Sequence, residues 1–102
     1  MKHFLTIESQ TETDLEKLIE HAVELKTNRK NPDFQPLAGQ TWAMIFTKSS
    51  TRTRVSFEVG IREFGGQPMF FSGRDLQLGR GEPIEDTARV MGRMVDGADS
   101  DL

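Results

Sequence analysis

Between Lys48 and Arg54 the chain reads Lys-Ser-Ser-Thr-Arg-Thr-Arg. The hydroxyl side chains of Ser50, Thr51 and Thr53 interleave with Arg52 and Arg54, and no acidic residue occurs from Thr47 to Phe57. A guanidinium group presents a planar fork of N–H donors that matches phosphate oxygens two at a time. Hydroxyl groups donate to the lone pairs that remain. Residue types of this kind, delivered to the start of a helix, suit a multiply charged anion and above all a phosphate. Serine and threonine are also ordinary N-caps, and arginine is common on exposed helices, so capping stands as an equal alternative on residue types alone. The run lacks the glycines of the G-x-x-x-x-G-K-[ST] nucleotide loop, so a small phosphate compound fits it better than ATP.

The flanking sequence supplies the elements that must position this run. Thr41-Trp42-Ala43-Met44-Ile45-Phe46 has few polar side chains, as a buried parallel strand has. Trp42 within it is expected to pack in the core or sheet rather than to stack on a ligand. A helix is predicted from Thr51 to Phe64, with Val55, Phe57, Val59, Ile61 and Phe64 giving it a broad apolar surface for more than one neighbour. Arg54 and Glu58 are four apart and can pair on that helix, which competes with a ligand role for Arg54. Gly65-Gly66 supplies a left-handed cap, and a second strand follows over residues 67–71. Strand, helix and strand with short connections imply a parallel crossover. The anion run then lies at the carboxyl end of the first strand, where open α/β sheets bind ligands.

The remaining segments frame this unit. Thr13 is expected to cap a helix over residues 14–28, with Glu16 completing a capping box. Pro32, Pro36 and Gly39 punctuate the connection to the first strand. Residues 72–83 form a polar, glycine-rich loop that contains Gln77 and Arg80. A last helix begins near Pro83, with Ile84, Ala88, Met91 and Val95 in one stripe and Gly97 as its cap.

At 102 residues the chain is one domain at most, and a net charge of −3 argues against a general nucleic-acid binder. The absence of cysteine excludes disulfides, thiolate catalysis and thiolate metal sites. His3 and His21 have no ligand spacing between them, so no metal is expected. No apolar run reaches the length of a membrane span, and the N-terminus lacks a signal-peptide pattern, so a cytoplasmic protein is the expectation.

The run Ser50 to Arg54, followed by Ser56-Phe57-Glu58, resembles the carbamoyl phosphate signature of the transcarbamylase family. Phe46 and Lys48 look more like the ornithine branch of that family than the aspartate branch. A second block, residues 75–82 followed by Asp86-Thr87-Ala88-Arg89-Val90, agrees with this, and the resemblance covers about residues 1–97. It implies an α/β fold: part of a carbamoyl phosphate-binding domain, with a parallel sheet flanked by helices. It implies an enzyme that transfers the carbamoyl group of carbamoyl phosphate to ornithine, giving citrulline and phosphate, with neither cofactor nor metal. By resemblance Ser50, Thr51, Arg52 and Thr53 bind the phosphate, Arg52 and Thr53 also lie near the carbonyl oxygen, and Arg52 is the catalytic residue. Gln77 would reach the carbamoyl phosphate site of the neighbouring subunit in a homotrimer.

The sequence departs from the family pattern at its end. Residues 98–102, Ala-Asp-Ser-Asp-Leu, are acidic where the family has an apolar strand. The family's His-Pro segment and its ornithine-binding domain are absent from the 102 residues. The expectation is therefore a fragment, inactive alone, with residues 1–97 family-like and 98–102 not. Loss of neighbouring strands would expose a sheet edge. Two alternatives stay open: a transcarbamylase with aspartate or an acylated ornithine as acceptor, and a non-catalytic phosphate-binding module.

Overall fold

The computed structural model describes residues 3–47, 51–72 and 84–100. Its elements in chain order are α1 (Glu12–Thr27), β1 (Thr41–Phe46), α2 (Thr51–Glu63), β2 (Gln67–Ser72), α3 (Ile84–Met94) and β3 (Gly97–Ser100). The chain divides into two compact units, Met1–Lys30 and Asn31–Leu102.

The first unit is built on α1. Its N-cap is Thr11, whose Oγ1 accepts a hydrogen bond from the Asp14 backbone N–H at 3.1 Å. The expected cap at Thr13 is thus displaced by two residues: Thr11 and Asp14 hold the capping spacing, and both Glu12 and Asp14 add negative charge to the first turn. At the other end the backbone N–H and the side-chain amide of Asn28 both donate to the Glu24 carbonyl, each at 3.2 Å. No residue of α1 is buried, and Ile19 and Val23 are exposed.

The second unit is a three-stranded sheet in the order β2-β1-β3, with both pairings parallel. Thr41 pairs with Gln67 and Phe46 with Ser72 across β1 and β2. Trp42 pairs with Gly97 and Ile45 with Ser100 across β1 and β3. β1 is therefore central, and Ala43 and Met44, on opposite faces, are both fully buried. Met44, Phe46 and Ile61 form the core, with Leu37, Trp42 and Phe70 packed against them. Trp42 packs as expected, and its indole N–H donates to Gln40 Oε1 at 2.9 Å.

The end of α2 explains how the connection over residues 31–40 is held. The Gly66 N–H donates to the Ile61 carbonyl and the Gly65 N–H to the Arg62 carbonyl, with Gly65 at φ 88°. This is the paired closure of a Schellman cap, which only glycine adopts without strain. Two further carbonyls at the helix end accept from the connection: Phe64 from the Leu37 N–H at 2.9 Å, and Glu63 from Gln35 Nε2 at 3.3 Å. Phe34 and Phe64 meet edge to face, 6.0 Å between ring centres.

Residues 97–100 are a strand, although their acidic composition is unlike one. Two longer-range features account for this. The Asp96 N–H donates to the Thr41 carbonyl, while Asp96 Oδ2 accepts from the Thr41 N–H at 2.8 Å, so the two segments are locked where β3 begins. Gly97 then lets the strand pass against Trp42, since a Cβ at this position would stand 2.5 Å from the indole ring. Gly97 is thus the first residue of β3 and not the cap of α3. Asp99 is the cost of this arrangement. It pairs with Met44, and its Oδ1 is buried with no hydrogen-bond partner among the described residues. Burial pushes its pKa up from 3.8 to about 6.

The sign of the pH effect follows from that direction. A raised folded-state pKa means that the folded chain binds the Asp99 proton more tightly than the unfolded chain. Its contribution to stability is full below the unfolded value of 3.8 and is lost as pH rises to about 6. We predict that Asp99→Asn stabilises the chain relative to wild type, with an advantage that grows between about pH 4 and 6 and is constant above. Thermal unfolding midpoints across that range check this, and an advantage that shrinks with rising pH contradicts it.

Candidate functional site

Four residues separate the carboxyl end of β1 at Phe46 from the amino end of α2 at Thr51. Thr51, Arg52 and Thr53 are the first three residues of α2, and all three are exposed. The first-turn N–H groups of this helix have no intrahelical acceptors and stand at the positive end of its dipole. The structure thus brings three of the predicted site residues together on one helical turn. Ser50, Lys48 and Gln77 lie outside the described residues.

The charge on that turn is unusual for a helix start. α1 begins with Glu12 and Asp14, and α3 with Glu85 and Asp86, as the dipole favours. The first turn of α2 holds no acidic residue, and Arg52 lies within it. A cation there is unfavourable by about 0.3–1 kcal/mol unless a negative charge is supplied. Arg52 makes no hydrogen bond or ion pair among the described residues. Thr53 is engaged through its carbonyl, which accepts from Ser56 Oγ at 3.0 Å.

Arg54 has a different environment from the one its spacing suggests. Its guanidinium carbon lies 3.8 Å from the centre of the Phe70 ring, a face-on cation–π contact. Such a contact contributes about 0.5–1 kcal/mol when exposed and about 2 when desolvated. Glu58, the expected i,i+4 partner, instead meets Arg62 at 3.8 Å. The aromatic rings continue inward from Arg54. Phe70 stacks on Phe46 with centres 6.4 Å apart, and Phe46 meets Phe57 of α2 at 6.2 Å. Phe70 is a residue that sequence reasoning missed at this site. A signal was present, because residues 54, 57 and 61 are spaced three and four apart and so share one helical stripe.

The broad apolar surface expected on α2 is only partly used. Ile61 is buried, whereas Val55, Phe57 and Val59 remain at least 39% exposed. One face of the helix packs on β1 and β2. Among these residues no helix is long and apolar enough to cross a membrane.

Comparison with known proteins identifies the family and the fold. Residues 2–98 match the family model described as aspartate/ornithine carbamoyltransferase, carbamoyl-P binding domain. An ornithine carbamoyltransferase from Akkermansia muciniphila is 59% identical over 98 residues, covering 96% of this chain and 32% of the relative. The crystal structure of the anabolic ornithine carbamoyltransferase from Campylobacter jejuni superposes with a TM-score of 0.84 at 51% identity, over 98% of this chain and 32% of that one. A mitochondrial ornithine carbamoyltransferase from Coccidioides immitis gives a TM-score of 0.87 at 37% identity, over 98% and 33%. The chain spans about a third of the length of the curated relatives it matches.

The charge on the first turn of α2 generates a prediction. Arg52→Glu places an anion where the helix dipole favours one, so the free chain gains about 0.3–1 kcal/mol in stability. The same variant loses phosphate affinity. Thermal unfolding with and without inorganic phosphate checks both effects. A variant that is less stable than wild type without phosphate, or still stabilised by phosphate, contradicts the assignment.

Proposed function

The chain belongs to the aspartate/ornithine carbamoyltransferase family by its carbamoyl-P binding domain, and we propose that it carries the carbamoyl phosphate subsite of an ornithine carbamoyltransferase. The observation that carries this reading is the start of α2: a helix terminus at the carboxyl edge of β1 that bears Arg52 and the hydroxyl residues Thr51 and Thr53 but no carboxylate. The identity to named ornithine enzymes supports ornithine as the acceptor in the whole protein.

In this reading the backbone N–H groups of the first turn, with the hydroxyl groups of Ser50, Thr51 and Thr53, donate to the phosphate oxygens. Arg52 pairs with the phosphate and lies near the carbamoyl carbonyl oxygen. The side-chain amine of ornithine attacks the carbonyl carbon, a C–N bond forms, and the C–O bond to phosphate breaks. The amine loses a proton and phosphate leaves with the electron pair of the broken bond. Negative charge builds first on the carbonyl oxygen and then on the leaving phosphate, and Arg52 is suited to stabilise both. Orientation of the two reactants supplies the remainder. Gln77 completes the subsite from a neighbouring subunit of a homotrimer, and the ornithine-binding residues belong to a second domain of the whole protein. A cytoplasmic location fits the same reading.

A hydrogen bond between charged groups contributes about 1.5–3 kcal/mol. Arg52→Ala is therefore expected to weaken carbamoyl phosphate binding by about 10- to 100-fold, and Arg52→Lys to recover part of the loss, since a point charge replaces a planar fork. Calorimetric titration of the 102-residue chain measures this. Unchanged affinity in Arg52→Ala would sink the assignment.

A further inference from the structure

We propose that Arg54 is a positioning residue for this anion subsite: by stacking on Phe70 it ties the first turns of α2 to β2 and so fixes the direction in which Arg52 and the first-turn N–H groups face the ligand. The inference rests on the reading of α2 as the carbamoyl phosphate subsite.

The stripe of α2 that faces the sheet is formed by residues 54, 57 and 61. Ile61 is buried in the core with Met44 and Phe46, and Phe57 touches Phe46. Arg54 holds the first place in that stripe, where an apolar side chain would be the ordinary choice, and meets the sheet through the ring of Phe70. Phe70 is a firm anchor. It is paired in register with Met44, stacked on Phe46 and packed against the core. Residues 51–56 are all exposed, Arg54 included, and Arg54 is distinguished among them by its contact with the Phe70 ring. The next tie, Phe57, comes nearly a turn later.

Helix ends fray when nothing holds them, whereas an anion subsite needs its donors fixed to within a fraction of an ångström. Arg54 answers that need. Arginine is suited to it, because a planar guanidinium can stack on a ring face while the ammonium of lysine is a hydrated point charge. Arg52 precedes Arg54 by two residues, about 200° around the helix. It therefore cannot share the sheet-facing stripe. The two arginines are divided in role: one holds the helix and the other is left for the ligand.

The test is a double-mutant cycle on the 102-residue chain, with carbamoyl phosphate as the probe and affinity read by NMR titration. Only variants that keep the wild-type amide shifts of β1 are compared, which removes loss of the fold as a cause. Arg54→Met and Phe70→Leu are each expected to weaken binding by about three- to tenfold. The double variant is expected to bind no worse than the weaker single variant, because both changes break one contact. In wild type the Cδ protons of Arg54 are shifted upfield by the ring current of Phe70, and the shift vanishes in Phe70→Leu. Should Phe70→Leu fail to fold, Arg54→Lys decides, since it keeps the charge and removes the planar guanidinium from the ring face. Weakened binding in Arg54→Lys supports the positioning role, and full affinity overturns it. Losses that add in the double variant, or an effect of Arg54→Met with none of Phe70→Leu, mean that Arg54 touches the anion itself and overturn the inference. A wild-type chain that does not bind carbamoyl phosphate defeats the subsite reading and the inference together. Wild-type binding with unaffected variants defeats the inference alone.

Discussion

A parallel partner for β1 cannot be reached by a tight turn. From Phe46 the chain must travel back along the sheet before Gln67 can pair with Thr41, and α2 is the segment that makes this journey. Its start is therefore set at the carboxyl edge of the sheet and its end at the amino edge. Both ends then acquire their character from that placement. At the amino edge, Gly65 and Gly66 close the helix, and the Gln35 and Leu37 groups satisfy the carbonyls left over. At the carboxyl edge the first turn carries Arg52 and no carboxylate, and its N–H groups have no acceptors within the helix.

The two ends of α2 differ in kind. Where the structure is only structural, the orphan groups are capped from within the chain. Where the helix begins, the charge pattern that would stabilise the helix is reversed. A start with arginine and without carboxylate is poor as a helix and good as an anion receptor. This trade is characteristic of functional sites, at which local stability is given up for binding. The Arg54–Phe70 stack limits the cost, because the ring face accepts one of the two positive charges and holds the turn in place.

Much of this was legible in the sequence, wherever local rules decide the outcome. β1 was read at its observed bounds because a run of six mainly apolar residues between a glycine-proline connection and a polar turn has few alternatives. The start of α2 and its Gly65 cap followed from capping chemistry. Two of the differences come from contacts distant in sequence. Arg54 was left open between pairing with Glu58 and touching a ligand, but it meets Phe70, sixteen residues on in sequence, and Glu58 takes Arg62. β3 was not expected in an acidic tail, because its formation depends on Asp96 meeting Thr41 and on Gly97 clearing Trp42. Neither contact is visible in local propensity. The cap of α1 was misread at Thr13 because Thr11 and Thr13 both precede a carboxylate at three residues. For the site itself, residue types indicated a phosphate as readily as ordinary capping. The resemblance of two blocks to one family gave the phosphate compound its identity.

The measurement that bears most directly on the account is an amide NMR spectrum of the 102-residue chain recorded with increasing carbamoyl phosphate. The account predicts saturable shifts centred on the N–H groups of Thr51, Arg52 and Thr53, with those of α1 and the amino ends of β1 and β2 unmoved. Saturable shifts located elsewhere, or none while the β1 amides remain dispersed, would contradict the assignment of the anion subsite to the start of α2.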